Sequence, residues 1–156
     1  MKNKIPLPEL KQQAFNYCSD FVLGRLNRLQ NQIKEIETAL TSETKSSAGD
    51  KHETGRAMLQ LEREKLGAQL AEAENMQGLL KKAEVASERN NIGLGSLIIT
   101  DKQSYYIAIS AGQFTYINES LFCISPGTPI GKLLLGKQKG DTIEFNHNTS
   151  TILKIS

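Results

Sequence analysis

The feature that most constrains the fold is a long stretch, residues 22–104, that contains no proline and no Phe, Tyr or Trp. In its first part, apolar residues recur at alternating steps of four and three: Val22, Leu26, Leu29, Ile33, Ile36 and Leu40. After a break, a second series repeats every seven residues at Leu59, Leu66, Ala73 and Leu80, with Leu70 and Met76 on the same side. This spacing is typical of a coiled-coil seam. The pattern predicts two helices, about 9–42 and 53–88, that fold back on each other as an antiparallel hairpin.

The predicted hairpin is slender. Each helix would be roughly 50 Å long at 1.5 Å per residue. Pro8 can lie in the first turn of the first helix. Amide groups there have no hydrogen-bond partner within the helix, so the missing amide hydrogen of proline costs no hydrogen bond. A narrow apolar seam leaves most side chains in water, which suits the many Glu, Lys, Arg and Gln residues of this region.

The pattern changes near residue 92. Short β-branched and aromatic runs, separated by Gly, Asp and Asn, predict strands in GSLIIT, SYYIAIS, FTYIN and LFCIS. The segment PIGKLLLGK predicts a short helix, and TIEFNHNTSTILKIS predicts a closing hairpin. The expected fold class is therefore α+β. A long antiparallel coiled-coil domain, 1–90 with its tip at 46–56, is followed by a small α+β domain, 91–156.

Composition excludes several classes of protein. The 156 residues are 38% hydrophobic and 23% charged, with a net charge of +2, so a disordered tail or a sequence-specific DNA binder is not expected. No run approaches the roughly 20 apolar residues of a membrane span, and MKNKIPLPEL lacks the apolar core of a signal peptide. We therefore expect a cytoplasmic protein without membrane contact, in which Cys18 and Cys123 are free thiols in the core.

Two carboxylates three positions apart lie at the bend of the hairpin. Asp50 is a good N-cap residue, and Glu53 is the reciprocal partner of a capping box. Alternatively, the pair holds part of a divalent-cation site at the tip. Two oxygens are too few for an independent Mg²⁺ site, which needs about six ligands, so a partner would have to supply the rest. His52, between the two, is a weaker candidate for a ligand or a base.

The chain resembles the Gre family of bacterial transcription elongation factors over nearly its whole length. The tip GDKHETGRAM is similar to the family motif Gly-Asp-x-x-Glu-Asn-x-x-Tyr, matching at Gly49, Asp50 and Glu53. The stretch SPGTPIGKLLLGKQKGD resembles the family signature Ser-Pro-Ile-x-x-x-Leu-[Ile/Leu]-Gly-Lys, with matching positions Thr128, Pro129, Ile130, Leu134, Leu135, Gly136 and Lys137.

The resemblance implies a mechanism. An FKBP-like C-terminal domain docks at the rim of the RNA polymerase secondary channel, with partner contacts at Thr128, Pro129 and Ile130. The coiled coil enters the channel, where Asp50 and Glu53 help to hold a catalytic Mg²⁺ jointly with the polymerase. The polymerase then cleaves the 3′ end of backtracked RNA, so the factor touches the nascent RNA only indirectly. The isolated chain is expected neither to bind Mg²⁺ nor to act as an enzyme.

The tip departs from the family pattern at three positions. Thr54 replaces the usual Asn, Met58 replaces the usual aromatic residue, and Arg56 adds a positive charge close to the pair. Segment 41–56 therefore balances three acids against three bases. Two other functions stay open: a Gre-fold regulator that occupies the channel without cleavage, and a coiled-coil adaptor for an unrelated protein.

Overall fold

The computed structural model describes residues 5–45, 50–86 and 89–156, except for the side chains of residues 43–45 and 50–52. Its helices are α1 Leu7–Lys45, α2 Asp50–Val85 and α3 Pro129–Leu134. Its strands are β1 Leu97–Thr100, β2 Ser104–Ile107, β3 Gly112–Tyr116, β4 Glu119–Ile124, β5 Thr142–Phe145 and β6 Asn148–Ile155. Two long helices thus precede a mixed sheet, which confirms the predicted α+β class.

The predicted seam is the buried face of both long helices. Its fully buried members are Val22, Leu26, Leu29 and Ile33 in α1, and Leu66, Ala73 and Leu80 in α2. Across the pair, Nε of Arg63 donates a hydrogen bond of 3.2 Å to Oε1 of Glu37. This exposed ion pair adds little stability, so the apolar seam supplies most of the attraction between the helices. Within the described residues, neither helix has an apolar stretch sufficient to cross a membrane.

The helix ends differ from the predicted ones by a few residues. Helix α1 begins at Leu7 because Pro8 fits in its first turn, where the amide of Leu10 donates to the carbonyl of Pro6 at 3.1 Å. The same helix continues to Lys45, and α2 ends at Val85 rather than near residue 88. The apolar period cannot fix such ends, because the terminal turns contribute few seam residues.

Internal contacts group the residues into two units. One unit comprises residues up to Phe21 together with Gly78–Ser156, and the other comprises Val22–Gln77. The base of each long helix therefore belongs with the sheet, and the outer hairpin forms its own unit. The division into a coiled-coil domain, 1–90, and an α+β domain, 91–156, stays a prediction.

The six strands form one sheet in the order β3-β4-β2-β1-β6-β5. Neighbouring strands are antiparallel except β2 and β4, which run parallel with Tyr105 opposite Phe122. The β3–β4 and β5–β6 hairpins turn through two residues each, at 117–118 and 146–147, and all four residues have positive φ. Such values belong to type I′ turns, whose twist matches that of the flanking strands.

Side chains on the two faces of the sheet pack into different layers. A cluster of buried residues lies between α3 and one face of the sheet: Ile92, Ile98, Ile107, Ile130, Leu134, Ile143 and Ile152. Because neighbouring residues of a strand point to opposite faces, Tyr106 and Cys123 lie on the other face, where they are register partners. Cys18 of α1 is fully buried, and the neighbouring Tyr17 stacks on Phe114 of β3, so the base of α1 covers this second face.

The connection from α2 to β1 requires glycine at one position. Gly95 has a φ of 87°, and a Cβ atom there would lie 2.6 Å from the carbonyl oxygen of Ala83. Glycine alone tolerates both the left-handed backbone and this approach. The close approach lets the end of α2 pack directly against the strand region.

Candidate functional site

The candidate tip lies where α2 begins. Helix α1 ends at Lys45 and α2 starts at Asp50, so the backbone places Asp50 and Glu53 in the first turn of α2. The Glu53 side chain is exposed. Gly49 and the side chains of Asp50 and His52 lie outside the described residues. Both roles predicted for the pair, capping box and cation ligand, therefore stay predictions.

The residues that flank the tip present a mixed surface. Thr54 and Arg56 are exposed on the same turns of α2 as Glu53, and Met58 is 66% exposed. A large apolar side chain with this exposure is available for contact with a partner. The positive charge of Arg56 lies one turn from the carboxylate of Glu53, so it weakens the local negative potential that a cation would meet.

The donor set at the tip suits a shared cation site better than a complete one. Carboxylate oxygens are the ligands that Mg²⁺ prefers, but the ion requires near-octahedral coordination by about six oxygens. Asp50 and Glu53 provide only part of such a set. Among the side chains that the structure describes, no group of three or more His, Cys, Asp or Glu residues is placed to hold a metal ion.

The predicted docking residues have three different environments at the start of α3. Thr128 is the N-cap: its Oγ1 accepts a hydrogen bond of 3.1 Å from the amide of Gly131 and donates one of 2.8 Å to the carbonyl of Ser125. Pro129 is the first residue of α3 and is exposed. Ile130 is only 9% exposed and belongs to the cluster beneath α3. Pro129 is thus the most accessible of the three.

A groove of about 500 Å³ opens beside this helix start. Its apolar floor is formed by Tyr105, Phe122, Ile124, Ile130, Ile143 and Phe145, and its polar rim by Lys102, Gln103, Asn146, Asn148 and Ser150. The rings of Tyr105 and Phe122 lie 6.4 Å apart at 35°. Burial raises the pKa of Tyr105, so its hydroxyl stays neutral and able to donate. The arrangement suits an apolar side chain framed by hydrogen-bonding groups.

The groove was not predicted from the sequence, although Ile130 was. Tyr105 and Phe122 are 17 positions apart and meet only because β2 and β4 pair in parallel. Two parallel strands are joined by a crossover connection rather than by a tight turn. No local turn motif in the sequence therefore predicts that β2 and β4 are neighbours. The alternation of aromatic and aliphatic residues in SYYI and LFCI is the only sequence signal for this surface.

Comparison with solved structures finds the crystal structure of GreA factor homolog 1 (Gfh1) protein of Thermus thermophilus. The two chains are 19% identical, the match covers 86% of this chain and 92% of that chain, and the TM-score is 0.34. No protein-family model and no curated protein matches the chain. The functional assignment therefore depends on the residues of the chain itself.

Proposed function

We propose that this chain is a Gre-like transcription elongation factor that binds RNA polymerase at the secondary channel and stimulates cleavage of backtracked RNA. The observation that carries the proposal is the position of Asp50 and Glu53 in the first turn of α2, at the start of the second of two long paired helices. The surrounding residues GDKHETGRAM resemble the Gre tip motif. A capping role alone would not require a hairpin of this length.

The hairpin supports the proposal through its dimensions. From Val22 to its end at Lys45, α1 rises roughly 35 Å at 1.5 Å per residue. Two paired helices are narrower than a globular domain, so they suit entry into a channel that a globular domain cannot pass. The exposed polar side chains outside the seam keep such a probe compatible with water and with charged channel walls.

The proposed chemistry belongs to the polymerase, and this chain supplies part of its coordination. Asp50 and Glu53 would complete a Mg²⁺ site whose other oxygens come from polymerase carboxylates, RNA phosphate and water. When bound, the ion stabilises negative charge on the attacking and leaving oxygens of phosphodiester hydrolysis. The carboxylates act by position, since α2 fixes their backbone and the hairpin delivers them. The chain is therefore proposed as a stimulator of cleavage and not as a nuclease.

Docking is assigned to the start of α3 and the adjacent groove. Pro129 is exposed, Thr128 fixes the loop through two hydrogen bonds, and Ile130 contributes to the groove floor. Loops held by rigid elements commonly carry binding residues. In this proposal the sheet unit provides the affinity for the polymerase and the tip affects only RNA cleavage. Variants of the tip are therefore expected to retain polymerase binding.

A second function is favoured by Arg56. An exposed guanidinium one turn from Glu53, together with the balanced charge of segment 41–56, reduces the attraction for Mg²⁺. These features suit a channel-binding regulator that does not stimulate cleavage. The regulator and the cleavage factor share the docking surface and differ only in what the tip does.

RNA cleavage in stalled, backtracked complexes of the cognate polymerase tests the proposal. Wild type and Glu64→Ala, which removes an exposed acid farther along α2, should accelerate cleavage equally. Asp50→Ala should reduce the acceleration at least about tenfold, a loss of 1.4 kcal/mol or more of transition-state stabilisation, while still co-purifying with the polymerase. Cleavage by Asp50→Ala at the wild-type rate would refute the tip assignment.

The same assay separates the alternatives. Binding of wild type without cleavage at any Mg²⁺ concentration would replace the cleavage factor with the channel-binding regulator. Failure to bind the polymerase core would refute both and leave the coiled-coil adaptor. Binding is measured by pull-down of polymerase subunits with the full-length chain.

A further inference from the structure

The groove beside α3 has one charged side chain in its lining, and that charge is positive. Among the described residues that line the groove, Lys102 is the charged one, and none is an Asp or a Glu. Glu144 lies between two lining residues of β5 and therefore points to the opposite face of the sheet. Oδ1 of Asp101 accepts a hydrogen bond of 2.8 Å from the amide of Thr151. The rim of the groove therefore offers a positive charge to a ligand.

Hydrogen bonds hold Lys102 at the rim. Lys102 follows β1, and Oγ1 of Thr100 accepts hydrogen bonds from the amides of Lys102 and Gln103, at 3.2 and 2.9 Å. Nζ of Lys102 donates to the carbonyl of Thr149 in β6. An ammonium group has three N–H donors, and this bond uses one of them. The charge therefore has a defined position, with donors left for a carboxylate.

The polar side chains around this charge lack partners within the described part of the chain. Tyr105 lies on the floor of the groove, and its hydroxyl forms no hydrogen bond with another described residue. The same holds for the side chains of four rim residues: Gln103, Asn146, Asn148 and Ser150. Amide side chains both donate and accept, as the peptide backbone does. The rim is therefore complementary to a peptide segment, which presents N–H and C=O groups along its length.

The floor of the groove suits a large apolar side chain. Tyr105, Phe122 and Phe145 are only partly buried, so part of each ring stays accessible from the groove. A volume of about 500 Å³ lies within the usual range for ligand sites, 300–1,000 Å³. A bound Leu side chain would remove apolar surface of both partners from water, which is the main source of affinity at such a site.

We propose that this groove recognises a peptide segment in which a large apolar side chain lies next to an acidic residue. The apolar side chain covers the rings of Tyr105 and Phe122, and the carboxylate pairs with Lys102. The inference rests on the proposed function in one respect: the groove is part of the proposed docking surface, so the segment would belong to RNA polymerase. The apolar contact supplies most of the affinity, and Lys102 supplies the preference for an acidic neighbour.

Titration of the ¹⁵N-labelled full chain with the peptide acetyl-Gly-Glu-Leu-Glu-Gly-amide tests this recognition without polymerase. Amide resonances of residues 102–105, 122–124 and 143–150 should shift. Replacing Leu in the peptide with Ala should weaken binding about tenfold, because apolar burial is lost. Replacing both Glu residues with Gln should weaken it about two- to fivefold, as expected for an exposed ion pair. Absence of shifts at millimolar peptide, or shifts confined to another surface, would overturn the proposal.

Lys102→Gln tests which residue recognises the acids. In this variant the peptides with Glu and with Gln should bind equally, whereas wild type prefers the peptide with Glu. Lys139→Gln removes a lysine charge outside the groove and should keep the wild-type preference. Such a double-mutant cycle isolates the interaction between Lys102 and the acids. Lys102 is exposed, so the variant should melt like wild type. A preference for the acidic peptide that survives in Lys102→Gln would overturn the role of Lys102.

Binding to the polymerase separates this inference from the proposed function. Lys102→Gln should bind the polymerase about two- to fivefold more weakly than Lys139→Gln, and its affinity should depend less on salt concentration. Equal affinities of the two variants, with binding intact, would overturn the inference and leave the proposed function standing. Binding of the acidic peptide by a chain that does not bind the polymerase would support the recognition and refute the proposed function.

Discussion

Tyr17 and Phe114 stack with ring centroids 4.9 Å apart, so an aromatic contact joins α1 to β3. Phe114 also stacks on Tyr116 at 6.4 Å, and the hydroxyl of Tyr116 donates to Glu9 at 2.9 Å. Helix α1 is thus held to one edge of the sheet at two positions two turns apart. Tyr17, in the part of α1 that belongs to the sheet unit, thus has β3 as its packing partner.

Replacement of Phe114 tests this aromatic contact. Phe114→Ala should lower the free energy of unfolding by about 2 kcal/mol, because it removes ring stacking worth roughly 0.5–1.5 kcal/mol together with apolar burial. Phe114→Tyr keeps the ring and should stay close to wild type. Urea denaturation followed by circular dichroism measures both, and equal midpoints for Phe114→Ala and wild type would contradict the assignment.

Ile130 is expected to act mainly through stability. Ile130→Asp places a carboxylate in the cluster beneath α3 and should destabilise the protein by about 3 kcal/mol or more, since a buried charge has no partner there. Ile130→Val should cost only about 0.5–1.5 kcal/mol. Thermal unfolding distinguishes the two. A folded Ile130→Asp variant with wild-type stability would show that the side chain is not a core residue.

Pro129 offers a cleaner test of docking. Pro129→Asp adds a charge at an exposed position, and an acidic residue in the first turn of a helix is favourable, so α3 should stay folded. We expect weaker binding to the polymerase with an unchanged melting temperature, measured by competition against labelled wild type. Lys139→Gln, at an exposed position beyond α3, also changes the net charge by −1 and serves as a charge-matched control. Equal affinity of wild type and Pro129→Asp would remove this residue from the docking surface.

Glu53 is expected to contribute to the start of α2. Glu53→Ala should lower the free energy of unfolding by about 1 kcal/mol, the usual value of a capping interaction. It should also impair RNA cleavage less than Asp50→Ala does. Glu64→Ala, in the middle of the same helix, should leave the melting temperature unchanged. If Glu53→Ala melts like wild type yet loses cleavage fully, Glu53 is a ligand rather than a cap.

The buried thiol pair predicts loss of stability at alkaline pH. The pKa of Cys18 is raised in the folded protein above its ordinary value of 9.0. Above pH 9 the unfolded chain therefore releases a proton that the folded chain retains, and the free energy of unfolding falls as pH rises. Below pH 9 the contribution is fully present. The decline should be shallower in Cys18→Ala, as measured by urea midpoints across this range, and parallel curves would refute the prediction.

The sequence predicted the elements well because each has a local signal. The heptads from Val22 to Leu40 leave few alternatives to a paired helix, and the strand runs are bounded by Gly, Asp and Asn. Each predicted run overlaps its strand or α3, although β3 and β4 begin two residues earlier than predicted and α3 ends at Leu134. Local periodicity, however, does not say which strands are neighbours, so the parallel pair β2–β4 and the groove above it could not be predicted.

The environments of the three predicted docking residues also could not be predicted from the sequence. Thr128, Pro129 and Ile130 are consecutive and match one motif, yet one is a cap, one is exposed and one is buried. Their difference follows from the direction in which α3 faces the sheet, and that direction is set by Ile130 and Leu134 of α3, which pack in one cluster with Ile143 of β5. A motif identifies such residues as a group, whereas only tertiary packing separates their roles.

The pairing of β1 with β6 sets an order for synthesis and folding. β1 occupies an inner position of the sheet, and one of its two partners is the last strand in sequence. During translation the helical hairpin can form early from local contacts. The sheet cannot be completed until β6 has been synthesised, and one side of β1 stays unpaired until then. Nascent chains of this protein should therefore expose the strand LIIT with an unpaired, aggregation-prone edge. Chaperones should bind this strand until β6 has been synthesised and pairs with it.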